Sequence, residues 1–92
     1  MFKITGGKGF HITFDSGWTV SVQFGPGNYS DNYHASFLHE VECGEQGSTT
    51  AEVWCFNGKT QWPSDPLGYQ SPAQVLAILS AAAKGDFSEL PE

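Results

Sequence analysis

Ninety-two residues bound the chain to one small domain, which buries roughly two-thirds of its unfolded surface at best, so its core has to be efficient. Seven Phe, three Trp and three Tyr supply that efficiency, each buried aromatic removing on the order of 150–250 Å² from water. The formal charge of -6, from ten Asp/Glu against four Lys and no Arg, excludes a phosphate-backbone binder, which needs clustered cations to displace counterions.

Phe10, Ile12 and Phe14 alternate with His11 and Thr13, the period-two pattern of a half-buried strand. Asp15-Ser16-Gly17 offers a turn, after which Trp18, Val20, Val22 and Phe24 resume the alternation against Thr19, Ser21 and Gln23. Residues 10–24 therefore predict an antiparallel hairpin with one apolar face, and His11 falls on its polar side as a solvated strand histidine.

Gly25-Pro26-Gly27 ends the second strand, since proline has no N–H to donate. The turn runs into Asn28-Tyr29-Ser30-Asp31-Asn32-Tyr33, a stiff stretch that would position Tyr29, Asp31 and Tyr33. Over residues 30–42 two patterns compete. Tyr33, Phe37, Leu38 and Val41 fit one helix face with Asp31 as cap, and residues 37–42 equally fit a strand; an irregular loop entering a strand near Phe37 is the reading adopted. Residues 43–50, rich in Gly, Ser and Thr, read as a turn or loop.

Residues 50–56 have strand composition, and Asn57-Gly58 is a strong hairpin signal that sends residues 59–62 back antiparallel. On the first of these strands Ala51, Val53 and Cys55 share one face, while Glu52, Trp54 and Phe56 share the other. If the small apolar face packs on the core, Trp54 is left partly exposed or covered by another element. The prolines of Pro63-Ser64-Asp65-Pro66-Leu67-Gly68 are expected to end the sheet.

Ser71-Pro72-Ala73-Gln74 then opens a helix, with a serine N-cap, proline at the first position and glutamine completing a capping box. Val75, Ile78, Leu79 and Ala82 repeat at helical spacing, and Gly85 after Lys84 is a C-terminal cap, so a helix is predicted over 72–84. Residues 86–92 form an acidic tail expected to fray unless Phe87 and Leu90 pin it. The whole, residues 1–92, reads as a single α+β domain: a four- to five-stranded antiparallel sheet with one C-terminal helix packed on a face.

No catalytic signature accompanies this scaffold, so the expectation is a binding protein, not an enzyme. His34, His39, Cys43 and Cys55 are ligand types, but their spacing matches no standard zinc arrangement, and no metal or other cofactor is expected. The glycines at 25 and 27 lack the lysine and spacing of a phosphate loop. The histidines carry no nucleophile motif around them. What remains is a set of acids interleaved with aromatics. From Gly9 to Gly58 there is no lysine, while Asp15, Asp31, Glu40, Glu42, Glu45 and Glu52 all fall there. Aromatics anchor an interface and carboxylates steer a basic partner, so Tyr29, Asp31, Tyr33, Glu40, Glu42, Glu45, Glu52 and Trp54 are the candidate partner-binding residues. Direct nucleic-acid binding is not expected, and self-association is compatible with the sequence. The first residues hold no apolar run of signal-peptide length and no stretch approaches the roughly 20 apolar residues of a membrane span, which makes cytoplasmic residence the default expectation.

From Phe10 to Phe14, and through Gly17-Trp18-Thr19-Val20-Ser21-Val22-Gln23-Phe24-Gly25-Pro26-Gly27-Asn28-Tyr29, the chain resembles short proteins of bacteriophages and prophages. The similarity runs into Asp31-Asn32-Tyr33 and extends more faintly to the Trp54 strand and the terminal helix. Small acidic proteins of that origin are often inhibitors of host defence, with anti-CRISPR proteins the best-known class. The resemblance implies a non-catalytic inhibitor in the cytoplasm of an infected bacterium, binding a basic nucleic-acid-binding surface of a defence protein. A sponge for a small signalling nucleotide and a structural or accessory interaction module are the alternatives. No family motif matches residue by residue, so the resemblance assigns no functional residue.

Overall fold

The computed structural model describes residues 1–5, 8–24, 30 and 48–90. Five strands, β1 (Phe2–Ile4), β2 (Gly9–Thr13), β3 (Thr19–Gln23), β4 (Ala51–Phe56) and β5 (Gln61–Gln70), form one antiparallel sheet in sequence order, followed by helix α1 (Pro72–Lys84). This is the expected α+β architecture. The loop or strand assigned to residues 30–42, the turn from Gly25, and Tyr29, Asp31, Tyr33, His34, His39, Glu40, Glu42, Cys43 and Glu45 lie outside the described residues.

Strand register sorts the side chains into rows across the sheet. On one side Phe2, Ile12, Val20, Cys55 and Trp62 form one row, and Ile4, Phe10, Val22, Val53 and Leu67 the next. Burial along these rows is graded. Val20, Val22, Val53 and Cys55 are buried at the centre, while Phe2 and Ile4 are 73% and 81% exposed at the edge. The gradient follows from α1, whose contacts are with β3 and β4. One helix is about 10 Å across and strands lie about 4.8 Å apart, so it covers two strands well and leaves the flank open. Ile78, Ala81 and Ala82 supply the buried stripe of the helix.

Both ends of α1 are closed as the sequence reading expected. The Gln74 amide donates to the Ser71 hydroxyl at 3.2 Å, and the Gln74 side chain accepts from the Ser71 amide at 2.7 Å. At the other end Gly85 takes φ 74°, which lets its own amide reach Ala82 and that of Asp86 reach Ala81. The Ser16 hydroxyl also donates to the Ala82 carbonyl at 2.6 Å, tying the β2–β3 turn to the last helical turn.

One expectation needs correction. The sheet does not end at Pro63, because β5 continues to Gln70. Among the described strands β5 is at the edge, where a missing N–H on the outer side breaks no ladder bond. The register also shifts between the Cys55–Trp62 and Val53–Leu67 pairs, so residues 63–66 bulge out of the ladder before pairing resumes. β1 is an addition that periodicity does not reveal. Three residues are too few to display an alternation, and their strand character comes from pairing with β2.

Candidate binding face

The side of the sheet away from α1 carries three rows: Lys3, His11, Ser21 and Trp54; Thr13, Thr19, Phe56 and Gln61; Gly9, Gln23 and Glu52. Its centre strand, β3, contributes only short or polar side chains here. That allows rings from the flanking strands to meet over it. His11 and Phe56 make an edge contact with centroids 5.7 Å apart, and Phe56 meets Trp54 at 5.9 Å. All three rings are half-buried.

Polar groups of this face are held by one another. The Trp54 indole N–H donates to the Pro63 carbonyl at 2.9 Å, which fixes the ring plane and places its single donor within the protein. The Gln23 side-chain amide donates to the Thr5 hydroxyl at 2.8 Å and to the Ser21 hydroxyl at 3.2 Å. The Thr13 and Thr19 hydroxyls are 2.8 Å apart. Pre-formed side-chain networks of this kind lower the entropy cost of binding, because the rotamers are already chosen.

Of the eight residues expected to bind a partner, Glu52 and Trp54 lie on this face two positions apart on β4. Tyr29, Asp31, Tyr33, Glu40, Glu42 and Glu45 lie outside the described residues. The fold adds His11, Phe56 and Lys3. Phe56 was legible as sharing the Glu52 and Trp54 side of its strand. His11 joins only through the register of two hairpins, and Lys3 only through β1, so the lysine-free stretch from Gly9 to Gly58 still meets one cation on this face.

On the helix side, a pocket of about 330 Å³ opens between the N-terminal half of α1 and the sheet, walled by Phe10, Val22, Phe24, Val75 and Leu79. Among the described residues that line it, none is charged. Among the described residues there is no group of three His, Cys, Asp or Glu able to hold a metal ion. No helix among them is long and apolar enough to cross a membrane.

Comparison with protein-family models, curated proteins and solved structures finds no match.

Proposed function

We propose that this chain is a non-enzymatic binding protein that inhibits a bacterial defence complex during phage infection by occupying a basic, nucleic-acid-binding surface. The observation that carries the reading is the side of the sheet away from α1, where Trp54 and Phe56 stand with Glu52 in a chain of formal charge -6. Half-buried rings with fixed planes act as anchors, because they contribute apolar area at low entropy cost. A net negative charge raises the encounter rate with a basic surface and disfavours nucleic acid itself. Target strand and protein would then compete for one set of cations. The phage-like stretch from Phe10 to Tyr29 supports the biological setting, the cytoplasm of the infected cell.

The test is phage challenge of bacteria carrying nuclease-based defence systems, with and without the expressed protein. Restored plaquing in at least one system, and displacement of labelled nucleic acid from the purified effector, are the expected outcome. Trp54→Ala with Glu52→Lys should remove both effects while leaving the circular dichroism native, and raising salt should slow association. Unchanged plaquing in every system, with no displacement by the purified protein, would overturn the reading.

A further inference from the structure

The turn between β4 and β5 holds the one Asn-Gly pair of the chain, since Asn28 and Asn32 each precede a tyrosine. The Asn57 side-chain oxygen accepts the Lys59 amide at 3.0 Å and the Thr60 amide at 2.9 Å. The Asn57 amide donates to the Thr60 carbonyl at 3.1 Å, so the main chain and the side chain of Asn57 are both tied to Thr60. A side-chain oxygen bonded to the amide two residues on closes an Asx turn, which folds Cγ back toward the intervening nitrogen, that of Gly58. Among the described residues nothing accepts a hydrogen bond from the Gly58 N–H. Gly58 is exposed at φ 87°, with nothing within 4 Å of the place a Cβ would occupy, so no side chain shields its nitrogen.

We propose that Asn57 is a site of self-modification, deamidating in the folded protein with the turn promoting the reaction. Base removes the Gly58 amide proton and the nitrogen attacks Asn57 Cγ. The new N–C bond closes a succinimide ring as the side-chain NH2 leaves, protonated, as ammonia. Water then opens the ring. Addition at Cγ breaks the new bond and gives aspartate, while addition at the main-chain carbonyl carbon breaks the original peptide bond and gives isoaspartate. In sum, asparagine and water become aspartate or isoaspartate and ammonia, with no oxidant or reductant required.

Attack on Cγ places negative charge on the Asn57 oxygen, and the Lys59 and Thr60 amides already point at that atom. Two fixed N–H donors at a developing oxyanion stabilise the transition state more than the ground state. They also hold the carboxamide in one orientation beside its nucleophile, so no rotamer search precedes the attack. The unfolded chain keeps the Asn-Gly pair and loses both advantages. The two products differ in consequence. Aspartate adds one negative charge to the formal -6 and accepts the same two amides more strongly, so the turn persists. Isoaspartate lengthens the backbone by one carbon and disturbs the Phe56–Gln61 pair that closes the hairpin.

The test is to hold the native protein, and the same protein unfolded in guanidinium, at pH 8 and to follow residue 57 by peptide mapping with mass spectrometry. Replacement of NH2 by OH there, with an isoaspartate-specific methyltransferase assay for the isomer, gives the rate in each state. Deamidation at Asn57 about threefold or more faster in the native protein than in the unfolded chain is expected. Thr60→Pro removes one of the two donors to the side-chain oxygen and should bring the native rate down toward the unfolded one. Should that variant fail to fold, the wild-type comparison decides by itself. A native rate equal to or below that of the unfolded chain overturns the proposal, as does a folded Thr60→Pro variant that deamidates as fast as the wild type.

Discussion

The Phe87 ring lies nearly parallel to the Trp62 indole, with centroids 4.8 Å apart and planes 11° from each other. Trp18 meets the same ring edge-on at 4.7 Å, so Phe87 is held between the start of β3 and the start of β5. Residues just past the helix are therefore fastened to the sheet by Phe87, with Leu90 also packed against the core. Phe87→Ala is expected to destabilise the protein by about 2–3 kcal/mol, less than full burial of the ring would give. Urea unfolding followed by tryptophan fluorescence measures it, and the emission of Trp18 and Trp62 should shift red in the folded variant as water reaches them. A change within a few tenths of a kcal/mol would mean that the clamp contributes contact without stability.

Gly9 makes a separate prediction, because it is the glycine at which an added Cβ would collide with the Val22 carbonyl and approach Gln23. At Gly17, with φ 94°, nothing lies within 4 Å of an added Cβ, and the cost there is conformational only. Gly17→Ala should therefore cost about 1 kcal/mol, while Gly9→Ala should cost more and loosen the β2–β3 pairing. Amide exchange of Phe10 and Val22, whose N–H groups cross between β2 and β3, reports that pairing, and equal exchange in the two variants would contradict it.

Cys55 predicts a pH dependence. Its thiol is buried among Val20, Val53 and Trp62, and burial pushes its pKa from 9.0 up to about 12. The unfolded chain releases this proton from about pH 9 while the folded chain keeps it until about pH 12, so the folded state binds the extra proton in that window. The associated stability is complete below pH 9 and falls as pH rises, by about 1.4 kcal/mol per pH unit for one such group. In a Cys43→Ser background the native protein should resist a thiol-specific reagent at pH 8 and react at once in denaturant. Comparable rates in both conditions would show that the thiol is accessible.

The strand pair around Asp15-Ser16-Gly17 and the helix from Pro72 to Lys84 could be read before folding because their signals are local: alternation, a turn glycine, a capping box and a C-terminal glycine. The division of β4 into a small apolar side and a Glu52, Trp54 and Phe56 side was legible for the same reason. β5 was not, because two prolines forbid a central strand but not an edge one, and position in the sheet is not a local property. His11 and Lys3 of the candidate face were hidden in the same way. His11 meets Phe56 across an intervening strand, and only the register of β2, β3 and β4 places them together.

Local chemistry settles the elements whose causes lie within a few residues, together with the acidic balance that disfavours a nucleic-acid ligand. Long-range packing is what sets α1 over β3 and β4, leaves Phe2 and Ile4 exposed on the outermost of the described strands, and brings Lys3 beside His11. The reason is geometric. Periodicity says which side of an element is apolar, but which neighbour covers it depends on the width of a helix against the width of a five-stranded sheet.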